Sequence, residues 1–315
     1  MGLTVGVDIG GTKIAIGVVD VDGTIVAQDR LETPATEPGL ITDAVARAVA
    51  GLKERHEIEA VGVGAAGFVD AARRTVLFAP NIEWEDERIA DELERRTDLP
   101  VVVENDANAA AWGEFRFGAG ADVDDLLLVT VGTGIGGGIV QAGQLNRGAN
   151  GVAAEIGHLR VVPAGIKCGC GQYGCWEQYG SGRALVRQAQ DRIQAGMKEV
   201  AALSALVDGD PSRITGPLIT EEARRGDPLA IDLIADVGRW LGEGIASLVA
   251  VLDPSVVAVG GGVAKAGDLL LDPARAAFWR TLPAALNRPQ AAIRRATLGN
   301  DAGMIGAADL ARSHA

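Results

Sequence analysis

Leu3-Thr4-Val5-Gly6-Val7-Asp8-Ile9-Gly10-Gly11-Thr12-Lys13-Ile14-Ala15-Ile16-Gly17-Val18-Val19-Asp20 sets two valine-rich runs around a pair of glycines. Residues 3–8 and 14–20 read as strands joined by a tight turn, and Asp22-Gly23 then turns the chain into a third strand near 24–28. The same progression restarts at Leu126. Residues 126–131 read as a strand, Gly132-Thr133-Gly134-Ile135-Gly136-Gly137-Gly138 as a glycine-rich turn, and residues 139–140 as the returning strand. A strand, a glycine-rich turn and a returning strand, met twice, predict an internal duplication of one α/β unit with a cleft between the copies. Ligands of open α/β sheets bind at strand ends, so the loops there are where chemistry is sought.

Outward from these two stretches, residues 40–55 carry Ile41, Ala44, Val45, Ala48, Val49 and Leu52 at helical spacing. Strands are expected at 60–65, 101–104 and 256–259. Helices are expected at 86–96, 106–115, 183–194, 227–252, around 274–282, and at 302–312. Gly118-Ala119-Gly120 is the expected hinge, because the flanking elements end there and glycine relaxes the backbone. This gives a small N-terminal α/β lobe, 1–118, to which a C-terminal helix in 301–315 returns. A larger α/β lobe, 119–300, carries the cysteines.

Composition limits the function. At 315 residues the chain exceeds one hydrophobic core. The net charge of −13, without a basic run to offset it, argues against nucleic-acid partners. The most apolar stretch, 237–252, is broken by Arg239 and Glu243 and is too short for a membrane span, and no secretion leader is read at the N-terminus. Gly6 stands where a myristoylation signal wants Ser or Thr. A cytoplasmic protein is expected.

Four motifs carry chemistry. In Asp8-Ile9-Gly10-Gly11-Thr12-Lys13 the glycines allow close backbone approach to a phosphate; Thr12 and Lys13 add a hydroxyl and a cation, and Asp8 offers a carboxylate for Mg²⁺ through water. A plain hairpin with positive φ would explain the glycines but not the residues bracketing them. The loop is not a P-loop, since G-x-x-x-x-G-K-[ST] does not occur. Gly132, Thr133, Gly134, Gly136 and Gly137 form the matching loop of the second half. Glu104-Asn105-Asp106-Ala107-Asn108-Ala109-Ala110 lies at a strand-to-helix junction, where Asp106 suits either a helix cap or a catalytic base. Finally, His158 precedes Cys168, Cys170 and Cys175, the only cysteines, in the pattern H-x9-C-x-C-x4-C. Three thiolates and an imidazole complete a tetrahedral Zn²⁺ site without an open position, which marks it as structural.

Together these residues resemble the ROK family (repressors, open reading frames and kinases), and within it the bacterial glucokinases. The most specific part is Glu155-Ile156-Gly157-His158 leading into the cysteine loop and Trp176-Glu177. The resemblance implies a two-lobed actin-like, hexokinase-like (ribonuclease H-like) α/β fold closing over sugar and ATP. It implies Asp106 as the base that takes the proton of the sugar 6-hydroxyl. Asn105, Glu155, His158 and Glu177 would bind the sugar, with Asn81 and the backbone at Gly67 added. His158 would use one ring nitrogen for zinc and the other for a sugar hydroxyl. Gly260-Gly261-Gly262-Val263 resembles the adenine-side loop, though a bare strand-to-helix turn would have the same glycines. Repressors of the family place a DNA-binding domain ahead of the first loop, which here begins at Asp8. The expected reaction is therefore γ-phosphoryl transfer from ATP with Mg²⁺ to glucose, giving glucose 6-phosphate and ADP. Another hexose or N-acetylhexosamine, polyphosphate as donor, or a non-catalytic sugar sensor are the alternatives. A homodimer or homotetramer is expected.

Overall fold

The computed structural model describes residues 2–33, 38–79, 82, 84–197 and 200–313, with only the backbone of Pro38. Asn81, expected to contact sugar, lies outside the described residues.

The chain divides into two compact units, Met1–Leu128 with Gly137–Ala154 and Ala296–Ala315, and Val129–Gly136 with Glu155–Arg295. In the first unit β1 (Leu3–Ile9), β2 (Lys13–Val19) and β3 (Ile25–Glu32) pair antiparallel, and β4 (Ile58–Ala65) pairs with β1 in parallel. A small sheet of β5 (Phe68–Val69), β6 (Val76–Ala79) and β7 (Trp84–Glu87) follows, and β8 (Val101–Asn105) then closes the order β3-β2-β1-β4-β8. Parallel register places Asp8 beside Gly64 and Gly64 beside Glu104, so β1, β4 and β8 end level with one another. The turn at Gly10, the bend at Gly67 and the start of the helix after β8 therefore leave one sheet edge together.

The helix over 38–53, α1 (Pro38–Lys53), buries Ile41, Val45, Val49 and Leu52 against that sheet, as the spacing predicts. The next helix, α2 (Ile89–Thr97), starts three residues later than the expected 86–96, because 84–87 remain extended. Trp84, 1% exposed, sits in the core, and an extended chain delivers it there while leaving Glu85 and Asp86 in solvent. α3 (Asp106–Phe117) follows β8 directly.

The second sheet repeats the first. β9 (Leu126–Val131), β10 (Ile135–Gln141), β11 (Gln144–Leu145), β12 (Val256–Gly260) and β13 (Ala292–Arg295) lie in the order β11-β10-β9-β12-β13, with β12 and β13 parallel. The duplication expected from two glycine turns is thus visible as one strand order used twice. Gly136 and Gly137, assigned above to the phosphate loop, are instead strand residues of β10, and the turn is confined to Gly132-Thr133-Gly134. Their neighbour Gly138 is a packing residue: a Cβ there would stand 2.4 Å from the Cβ of Ala111 on α3.

The remaining helices are α4 (Glu177–Gly180), α5 (Gly182–Gln194), α6 (Ala201–Leu206), α7 (Gly216–Arg224), α8 (Pro228–Leu252), α9 (Asp268–Thr281) and α10 (Ala302–Arg312). α8 starts where Asp227 Oδ1 accepts the Ala230 N–H at 2.7 Å with Pro228 at the first helical position, and it ends at Asp253 in the left-handed region. Among the described residues no helix is long and apolar enough to cross a membrane. α10 lies across β1 and β4 so closely that a Cβ on Gly6 would stand 1.9 Å from Met304 O, and one on Gly62 1.8 Å from Ala307 O. Glycine in these two strands is a demand of packing, since backbone meets backbone there.

Candidate active site

At the edge shared by β1, β4 and β8, Asn105 caps α3: its Oδ1 accepts the N–H groups of Ala107 and Asn108, both at 3.0 Å. Asp106, read from sequence at the cap position, is the first residue of the helix instead. Its carboxylate is thus released from capping. Asn105 Nδ2 donates to Gly67 O at 3.1 Å, which leaves one amide hydrogen for another partner. Gly67 is pressed against β6, where a Cβ would come within 2.6 Å of Phe78 O.

Burial raises the pKa of Asp106 above the usual carboxylate range, although backbone N–H groups at the start of α3 pull the other way. Asp8, at the end of β1, is pushed up to about 7, first by burial and then by the neighbouring charges of Asp106 and Asp301. Its Oδ2 stands 3.0 Å from where a Cβ on Gly303 would be, at the start of α10. Two carboxyl groups that cannot comfortably both ionise are a donor set suited to a divalent cation.

The loop after β1 is folded by Gly10 N–H donating to Lys13 O at 3.0 Å, and Thr33 pins it by donating its hydroxyl to Gly10 O at 2.8 Å and its N–H to Thr12 O at 3.1 Å. Neither Gly10 nor Gly11 is in the left-handed region. Turn geometry therefore does not require these glycines, and Thr12 and Lys13 are exposed beside them.

In the second unit, the turn after β9 is held on the start of α5: Gly182 N–H donates to Gly132 O at 2.8 Å and Arg183 N–H to Thr133 O at 3.3 Å. Gly261, after β12, has φ +88, and a Cβ there would lie 2.5 Å from Val131 O, so its glycine is obligatory. Gly132, Thr133, Gly262 and Val263 line a cavity of about 840 Å³ with Val186 and Arg183 of α5, Pro217 and Thr220 of α7, and Lys265. The loop turns were legible in sequence. The contribution of α5 and α7 was not, although Ser181 and Thr215, each accepting a backbone N–H at a helix start, are the signals that mark both helices.

His158, Cys168, Cys170 and Cys175 converge, with all ligand atoms within 4.8 Å of one another. Cys170 Sγ is 3.6 Å from Cys175 Sγ, and Cys168 Sγ is 3.7 Å from His158 Nδ1. A tetrahedral zinc with ordinary bond lengths would set these edges at about 3.8 and about 3.6 Å. The set fits zinc. Burial, with Glu177 accepting the thiol proton at 3.0 Å, pushes Cys168 up to about 12, so a cation is needed to hold it as a thiolate. The loop is not ordered by ligands alone. Cys168 N–H bonds Gln172 O, bridges join Lys167 to Tyr173 and Arg160 to Cys175, and Trp176, fully buried, donates to Trp240 O at 2.8 Å. Glu155 and His158 bracket the short turn Ile156–His158, and Glu177 Oε2 stands 2.4 Å from where a Cβ on Gly134 would be. The zinc set, Glu177 and the second glycine turn are therefore neighbours.

Residues 4–314 match the ROK family profile. The chain is 54% identical to the glucokinase of Streptomyces coelicolor over 312 residues, covering 99% of this chain and 98% of that one. It superposes with TM-score 0.89 and 56% identity on the ROK family glucokinase of Streptomyces griseus, solved in complex with glucose and AMPPNP, covering 99% of this chain and all of that one. A ROK hexokinase from Thermus thermophilus follows at 36% identity and TM-score 0.80, covering 99% and 98%. The repeated sheets are the actin-like, hexokinase-like architecture of these kinases, and the chain belongs to the ROK family.

Proposed function

We propose that the protein transfers the γ-phosphoryl group of ATP to the 6-hydroxyl of glucose. The observation that carries this reading is the similarity, at 56% identity and over the full chain, to a ROK glucokinase crystallised with glucose and an ATP analogue. The cavity between the Gly132 and Gly262 turns supports ATP as donor: its size and its Val186, Pro217 and Val263 walls suit a purine, whereas polyphosphate would need only the polar turns. Gly10, Gly11, Thr12, Lys13, Gly132, Thr133 and Gly134 are the phosphate-facing groups of this reading.

Asp106 accepts the 6-hydroxyl proton as that oxygen attacks phosphorus in line and ADP departs. Its raised pKa makes it a stronger base than an exposed aspartate, with less of the proton-transfer barrier left to climb. Asn105 orients the sugar through its remaining amide hydrogen, and Gly67, Glu155, Glu177 and the second ring nitrogen of His158 take further hydroxyls. Asp8 would hold Mg²⁺ through water, and the ion, when bound, offsets charge on the transferring phosphoryl group. Zn²⁺ would be held by His158, Cys168, Cys170 and Cys175, fixing the His158 ring and ordering the segment that ends at Glu177. A homo-oligomer in the cytoplasm completes the proposal.

ADP release, coupled to NADH oxidation, with purified protein and a panel of glucose, mannose, N-acetylglucosamine and N-acetylmannosamine tests it. Glucose should give the highest kcat/KM with ATP. Absence of turnover on glucose refutes the reading, and equal rates with polyphosphate refute the assignment of the cavity.

A further inference from the structure

Glu104, next to last in β8, has a side chain only 1% exposed, and it opens the Asn105-Asp106 motif without a role of its own in the reading above. Its Oε1 accepts the Asn105 N–H at 3.0 Å and Asn108 Nδ2 at 3.2 Å. Its Oε2 accepts Arg73 Nε at 3.1 Å and forms an ion pair with Arg147 Nε at 2.7 Å. Each oxygen thus faces one side: Oε1 the start of α3, Oε2 two guanidinium groups.

Those guanidinium groups carry the tie outward. Arg147, on the segment after β11, donates to Asp70 O at 2.7 Å and to Ala71 O at 3.0 Å. Asp70 Oδ1 in turn accepts the N–H groups of Arg74 and Thr75, closing the turn between β5 and β6. Arg73 O accepts the Val103 N–H at 2.9 Å, a second strap from that turn back to β8. One buried carboxylate therefore joins Asn105, the β5–β6 hairpin that leaves Gly67, and the Arg147 segment.

We propose that Glu104 is a positioning residue of the sugar subsite, resting on the glucose-kinase reading. It fixes Asn105 relative to Gly67 so that the remaining amide hydrogen of Asn105 is aimed before glucose arrives. The chemistry requires a carboxylate. A glutamine can offer its oxygen to one side only, and its NH₂ then faces either the Asn105 and Asn108 donors or two guanidinium groups. Either orientation sets donor against donor and releases one arm of the tie. Glu104 does not line the nucleotide cavity, so the change leaves that cavity as it is.

Steady-state kinetics of Glu104→Gln, with thermal melts alongside, tests this. The expected result is a glucose KM raised about tenfold or more with an ATP KM within about twofold of wild type, because misplacement falls on the sugar alone. Unchanged constants, or glucose and ATP KM rising together, overturn it. Should Glu104→Gln fail to fold, Arg147→Lys decides by the same criterion: it keeps the charge and loses the paired bonds to Asp70 and Ala71. The wild type measured in parallel separates the two claims. A wild type inactive on glucose refutes the functional reading and this proposal with it, whereas an active wild type beside an unshifted variant refutes the positioning role only.

Discussion

Replacing Asp8 by asparagine should strengthen the fold while disabling the enzyme. Asp8 keeps its proton to about 7 in place of 3.8, because burial and the Asp106 and Asp301 carboxylates oppose its ionisation. Between those limits the folded protein binds the proton more tightly than the unfolded chain does. Stability of the metal-free protein therefore falls as pH rises through this window and levels off above 7. At 1.36 kcal/mol per pH unit the ionised carboxyl costs up to about 4 kcal/mol, and roughly 2–4 once water reaching its exposed part is allowed for. An asparagine side chain in its place would keep the shape and lose the charge. Melts of EDTA-treated protein at pH 8 should place Asp8→Asn roughly 4–8 °C above wild type, taking about 2 °C per kcal/mol for a chain of this size. At pH 5 the gap should shrink to about two-fifths, because less of the charge penalty is present there. Turnover with Mg²⁺ and ATP should fall by at least about a hundredfold, as the carboxylate that would hold the ion is gone. A variant no more stable than wild type at pH 8, or one with the same advantage at both pH values, refutes the argument.

Asp106→Asn should lower kcat by about 10²–10⁴-fold with its melting temperature unchanged or raised, and a well-folded variant with near-normal turnover refutes the base. Metal analysis of protein purified without added zinc should find about one zinc per chain; Cys170→Ala should lose it, with a lower melting temperature and weaker glucose use, and zinc-free protein of full activity refutes the site. Val186→Trp, filling the cavity beside the Gly132 and Gly262 turns, should raise the ATP KM about tenfold or more and leave glucose binding by calorimetry intact. An unchanged ATP KM would move the nucleotide elsewhere.

The parts of this protein legible in its sequence are those written in local rules. α10 spans the expected 302–312, α8 begins one residue after its Asp227 cap, and the cysteine spacing finds its histidine. What escaped is what only tertiary contact decides. Residues 86–96 read as one helix, but the burial of Trp84 keeps 84–87 extended. Gly136 and Gly137 look like loop residues, yet they belong to β10 beside Gly138, which makes room for α3. Asn105 and Asp106 are equally good caps by residue type, and only the sheet register, which ends β8 at Asn105, chooses between them. Glu104 opens the Asn105-Asp106 motif, yet its own role is not legible there, because its partners Arg73 and Arg147 are 31 and 43 positions away.

The glycine-floored groove over β1 and β4 has a consequence for the order in which the protein is made. Translation delivers β1 nearly three hundred residues before α10, whose Met304 and Ala307 backbone settles on Gly6 and Gly62. The first unit to be synthesised is thus the last that can finish its core, while Glu155–Arg295 is already complete upstream of the final helix. Until residues 302–312 have emerged, the Gly6 and Gly62 floor lacks the backbone that settles on it, and a variant cut before Ala302 would never gain that cover.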